Sequence, residues 1–170
     1  MAGPVFYLEI GPLKEPEYTG ISQVTAAIAE QMLGDSGRRT GFFYGRVEVE
    51  REVVEDLLAC RNGDLLEWHL QRSGTRPAPQ RLTGPNIAIF PNRKTCRRAF
   101  DFECQIVHDL STFLTPQFHN ADTVEFHTTS LFEDLQSNDL TFCVSEATRE
   151  DVVRYLGPLA PERVVAMPLA

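Results

Sequence analysis

Apolar and polar positions divide the chain into short alternating segments. Residues 4–10 are an apolar, β-favouring run stopped by Gly11 and Pro12, which predicts a first strand. After a turn-rich stretch with Pro16 and Gly20, Ile21, Val24, Ile28 and Met32 recur at helical spacing as far as Gly34, predicting a helix buried along that stripe. Residues 41–49 read as a second strand. Val53, Val54, Leu57 and Leu58 line a short helix that ends at Asn62 and Gly63. Leu65, Leu66, Trp68 and Leu70 form an amphipathic patch expected in the core, and the proline-rich stretch 72–86 reads as the least structured part. Residues 87–90 form a compact apolar run stopped by Pro91. The second half is clearer: strands at 104–107, 140–144 and 164–167, and a helix over 122–137 with Val124, Leu131, Phe132 and Leu135 inward. A further helix runs from a Ser145 cap to Tyr155, with Val152, Val153 and Leu156 inside and Gly157-Pro158 ending it. Alternating strands and helices, with strands apolar on both faces, predict an α/β Rossmann-like sandwich around a mainly parallel sheet.

Composition narrows the class. The 170 residues, 42% hydrophobic and 24% charged, suit one globular domain and exclude a disordered chain. Sixteen basic residues against 24 acidic ones give a net charge of −8, which argues against a nucleic-acid partner. No apolar run approaches the roughly 18 residues of a membrane span. The opening residues carry an acid and no basic n-region, so no signal peptide is expected and a cytoplasmic address is. Cys60, Cys96, Cys104 and Cys143 show neither a C-x-x-C pair nor zinc-ligand spacing. Cys104 and Cys143 sit in apolar runs and are expected to be buried thiols.

In open α/β sheets ligands bind where strands end and loops lead into helices. Two loops qualify. Thr19, Gly20, Ile21 and Ser22 precede the first helix, where a glycine admits close backbone approach and free amides favour phosphate; a plain turn is the simpler alternative. His108 and Asp109 follow the strand 104–107. The imidazole there can meet a sugar hydroxyl or exchange a proton, or the pair can simply cap local backbone. Arg93, Lys94, Arg97 and Arg98 crowd four cations into six positions, either a solvated loop or a dock for an anionic acceptor. The spacing of His119 and His127 from His108 fits no metal signature, and both are read as surface or helix-face residues.

The hydrophobic strand ending in His108-Asp109, and the later strand running into Val144-Ser145-Glu146-Ala147-Thr148 with Asp151 beyond, resemble the N-terminal domain of glycosyltransferase family 4. Thr19-Gly20-Ile21-Ser22 resembles that family's first glycine loop, although Thr19 and Ser22 stand where many members carry glycine. The resemblance implies one half of a GT-B fold, the acceptor-side Rossmann-like domain. Its partner, a C-terminal donor-binding domain carrying the E-x7-E signature, is expected outside this chain. The spacing recurs at Glu9–Glu17 and Glu125–Glu133 only by accident, because neither lies in a glycine-bearing loop.

The implied activity is retaining transfer of a hexose, with mannose a common choice, from a nucleotide-diphosphate sugar to a glycan or lipid-linked acceptor in surface-polysaccharide or lipopolysaccharide assembly. It is metal-independent and needs no cofactor, with the acceptor met at the cytoplasmic membrane face. His108 and Asp109 are then the catalytic candidates, Thr19 to Ser22 the donor-phosphate loop, and the Arg93–Arg98 cluster the acceptor or anion dock. The fragment alone is expected to be inactive. The other reading is a non-catalytic Rossmann-like binding module or a subunit of a split enzyme.

Overall fold

The computed structural model describes residues 3–15, 19–72, 85–156 and 161–168. Strand β1, Val5–Glu9, is buried at every residue but Phe6 and lies inside the sheet, flanked by β2 (Arg39–Tyr44) and β4 (Asn86–Phe90), both parallel to it. Beyond β4 follow β5 (Phe102–Val107), β6 (Leu140–Cys143) and β7 (Val164–Ala166), all parallel. The short edge strand β3, Val47–Val49, turns back antiparallel on β2. The order is β3-β2-β1-β4-β5-β6-β7. The chain therefore builds outward from β1 in one direction, then returns and builds in the other. The gap between the ends of β1 and β4 is the topological switch point.

Helices α1 (Gly20–Gly34), α2 (Arg51–Cys60) and α3 (Asp64–Arg72) cover Leu8, Phe42 and Val49 on one face. On the other face, Tyr7, Phe43 and Phe90 close over Cys96 and Phe100 of the β4–β5 connection. Further along, Leu135 of α6 (Leu131–Gln136) and Val152 of α7 (Glu146–Tyr155) cover Val107, Cys143 and Val164. Two smaller helices, α4 (Ser111–Leu114) and α5 (Ala121–Thr128), stand beyond the end of β5. The expected Rossmann-like sandwich is the observed one.

Several local readings change. The run 41–49 is a hairpin, because Gly45 adopts φ +62° and reverses the chain between Tyr44 and Val47. Helix α1 rests on Ser22, Thr25, Ala26, Ala29 and Met32, small residues that permit close approach to the sheet. Val24 and Ile28 of the expected stripe instead face a groove of about 1250 Å³ shared with Phe6, Ile89 and Met167. The helix expected over 122–137 is broken. The Thr128 and Thr129 hydroxyls bond back to the carbonyls of Val124 and Glu125, a contact that weakens helix propagation, and Phe132 emerges 41% exposed. Trp68 is 51% exposed with the Arg72 guanidinium 4.6 Å above its ring, and Leu66 takes the core position. Most of the stretch 72–86, Pro16 and the Gly157-Pro158 helix end lie outside the described residues.

Gly41 on β2 is needed for contact rather than conformation, since a Cβ there would stand 2.5 Å from the fully buried Tyr7 ring. Gly41→Ala is expected to cost about 1–3 kcal/mol through overpacking. A thermal melt followed by circular dichroism checks it, and an unchanged midpoint contradicts this packing.

Candidate functional site

The ends of β1, β4 and β5 and the start of α1 enclose a crevice of about 780 Å³ at the switch point, lined by Glu9, Thr19, Gly20, Lys94, His108 and His127 among others. A smaller recess of about 210 Å³ continues it around His108, Asp109, His119 and His127. The first and second sequence motifs, some ninety residues apart, thus share one opening. Sheet topology alone brings them together.

His108 follows directly on β5 and is half-buried. Its Nε2 lies 2.8 Å from the Pro91 carbonyl oxygen. That oxygen can only accept, so Nε2 carries the proton and the lone pair of a neutral ring sits on Nδ1. The peptide of His108 is fixed from the other side: its carbonyl accepts from Thr148 Oγ1 at 3.2 Å. Thr148 also donates its amide to the Ser145 hydroxyl, 3.1 Å, which caps α7 as expected. The second resemblance motif therefore buttresses the first. Asp109 does not orient the ring. Its Oδ1 accepts from the Ser111 amide at 2.7 Å and the Ser111 hydroxyl at 2.6 Å, closing a local turn. Burial alone would raise the Asp109 pKa, but those bonds, together with the fields of His108 and His119, hold it below its ordinary value.

His119 and His127 belong to this site rather than to the outer surface. Burial lowers the His127 pKa, against an opposing pull from Asp109. Three histidines reach one recess from three different segments, so no sequence spacing could have revealed it. Among the described residues no group of three or more His, Cys, Asp or Glu is placed to hold a metal ion.

The glycine loop is built differently from a bare amide nest. Thr19 caps α1, donating its amide to Ser22 Oγ at 2.9 Å, and both hydroxyls donate 2.7 Å bonds to Glu15 Oε2. The Glu15 carboxylate thus stands beside the first turn of α1, held by two hydroxyls, where its charge suits the helix dipole. Gly20 faces open space, with nothing within 4 Å of where a Cβ would stand. Ile21 lines both parts of the crevice.

The four cations of 93–98 do not form one surface. Lys94 is fully buried in an ion pair with Glu103, and its Nζ also donates to Ser137 Oγ (2.8 Å) and Asn138 Oδ1 (3.1 Å). Arg97 donates to the buried Asp134 at 2.6 Å. Arg93 donates to the Phe126 carbonyl at 2.9 Å and lies 4.9 Å from that ring's centroid. Arg98 is exposed, on left-handed backbone at φ +51°. Burial takes Lys94 out of the expected anion dock, its charge spent on tying the helix-free β4–β5 connection to its neighbours, while Arg97 bonds Asp134 through Nε and keeps 40% of its side chain exposed.

Glu9 escaped the sequence reading except as an accidental spacing. It ends β1, is 2% exposed, and accepts the Gly11 amide at 3.0 Å through Oε2. Burial raises its pKa to about 8, only partly offset by the amides of Gly11 and Gly45, so the carboxyl is mostly neutral at pH 7.

No family model and no solved structure matches the chain. O-antigen chain mannosyltransferase B of Escherichia coli is 36% identical to it over 63 residues, which is 37% of this chain and 16% of that protein. The chain thus spans only a small part of that relative, and the similarity supports a glycosyltransferase-like relationship. Among the described residues no helix is long and apolar enough to cross a membrane.

Two outcomes follow from the charges. Lys94→Met leaves Glu103 buried without its cation and is expected to cost about 3–5 kcal/mol in urea unfolding; a loss near zero refutes the buried pair. Glu9 has a folded pKa of about 8 against an ordinary 4.5, so its stabilising contribution is complete below about pH 4.5 and lost as pH rises through 8. Glu9→Gln lacks that loss. Its melting advantage over the parent chain should widen from pH 5 to pH 9, to on the order of a few kcal/mol. Melting curves that stay parallel across this range contradict the neutral buried acid.

Proposed function

We propose that this chain forms the acceptor-side half of a retaining glycosyltransferase of family 4, a GT-B enzyme in which a second, donor-binding domain closes over the crevice. The reaction moves a hexose, mannose on the strength of the similar Escherichia coli protein, from a nucleotide-diphosphate sugar to a hydroxyl of a glycan or lipid-linked acceptor in surface-polysaccharide synthesis. The observation that carries this reading is His108: an imidazole at the mouth of a buried strand, fixed by Pro91 and Thr148, opening on the switch-point crevice.

The geometry suits binding and positioning more than charge neutralisation. His108 offers Nδ1 as an acceptor for a sugar hydroxyl. The leaving diphosphate needs cations or amide dipoles, and this wall supplies few: Lys94 is spent and Glu15 covers the start of α1. Phosphate stabilisation therefore falls to the second domain. No metal or cofactor is invoked; the nucleotide sugar is substrate.

In the full-length protein, His108→Ala is expected to lower kcat for mannose transfer from GDP-mannose by about 100-fold or more while leaving the melting temperature nearly unchanged. Near-normal turnover by this variant removes His108 from the mechanism. The 170 residues alone should turn over no donor, and measurable transfer by them would contradict the two-domain reading.

A further inference from the structure

One buried acid on the crevice lining is left unused by the proposed reaction. Glu9 sits where β1 and β4 diverge, and its Oε1 has no hydrogen-bond partner among the described residues. A buried polar atom left unpaired is costly, so a native one requires an explanation. Glu9 is among the residues lining the crevice, beside Gly11, where any Cβ would stand 2.9 Å from Oε1. Glycine there leaves space for the carboxyl, whose Oε1 is itself buried. Of the cations on the lining, Lys94 is paired with Glu103 and Arg93 is turned onto the carbonyl and ring of Phe126. With no ion pair to Glu9 among the described residues, the acid repels an anion when ionised and offers one O–H donor when neutral. Neither state suits phosphate. Both suit a neutral hydroxyl, which can donate to the carboxylate or accept from the acid.

We infer that Glu9 is the hydroxyl-binding floor of this crevice, taking a ring hydroxyl of a carbohydrate ligand through Oε1. The inference rests on the glycosyltransferase reading and sharpens it: the inner crevice receives a sugar ring, and the phosphates lie elsewhere. The walls fit the same ligand class. Tyr44 and Phe126 are on the lining, each with a cation, Lys14 or Arg93, over one face, which leaves the opposite face as the one a sugar ring would pack on. His108 across the opening offers a second polar contact. Glu9 binds and places the ligand; no bond-making is assigned to it.

The test uses methyl α-mannoside, with inorganic phosphate as the anionic control, followed by ligand-observed and amide NMR on the chain. The unmodified chain should bind the mannoside, with amide shifts at Gly11, and phosphate should not compete. Glu9→Leu should weaken binding about tenfold or more, the loss expected for one buried hydrogen bond. It removes the acceptor of the Gly11 amide along with the unpaired oxygen, so its folding is checked by a thermal melt beside the affinity. Glu9→Gln keeps donor and acceptor and should stay within about threefold. Unchanged affinity in Glu9→Leu overturns the inference and leaves the glycosyltransferase reading standing, whereas a parent chain that binds no mannoside overturns both.

If Glu9→Leu does not fold, the titration of the Glu9 carboxyl carbon in the unmodified chain decides. Saturating mannoside must move its midpoint. The other titrating groups at hand, Cys96 behind it and His108, Asp109 and His127 across the opening, are distinguishable by their own signals. An unmoved midpoint overturns the inference.

Discussion

The buried pair of Lys94 and Glu103 is the constraint on which the crevice depends. Burying two charges costs several kcal/mol apiece unless their remaining hydrogen bonds are met. Here they are met on every side. Ser137 and Asn138 complete the ammonium, while the Ala99 amide bonds Glu103 Oε1 at 2.8 Å. Such a pair tolerates little displacement. The β4–β5 connection, which contains no helix, is thereby held in one conformation, and it carries Pro91 three residues before the lysine. The carbonyl of Pro91 aims His108. The orientation of one imidazole is thus inherited from an ion pair formed on a different residue of the same loop.

Much of this architecture is legible in the residues themselves. Strand and helix alternation, the buried thiols of Cys104 and Cys143, the Ser145 cap and the placement of His108 at a strand end all follow from local pattern. What local pattern does not carry is choice of partner. Four cations in six positions read as a basic patch because their acidic partners, Glu103 and Asp134, lie 9 and 37 residues from Lys94 and Arg97. Glu9 reads as one more strand residue until β4 and the Gly11 turn enclose it. His119 and His127 become site residues only because the helices beyond β5 fold back toward Asp109. Helix α1 shows the converse. Its branched residues are the conspicuous ones, yet Ala26 and Ala29 make the close contact, since packing distance rewards small side chains.

The crevice is chemically lopsided. One wall holds an imidazole fixed by two backbone contacts, the floor holds a mostly neutral acid, and a carboxylate already stands at the start of α1. With Lys94 paired and Arg93 turned onto Phe126, the lining directs little positive charge toward a polyanion.

The thiols have a practical consequence. Cys96, Cys104 and Cys143 are buried, and burial pushes their pKa values up to about 11, 11 and 12, while Cys60 is exposed on the last turn of α2. Alkylation depends on exposed thiolate. A maleimide at neutral pH will therefore mark one site per folded molecule and four per unfolded one. Mass spectrometry of the adduct then counts opened molecules directly, with no engineered reporter.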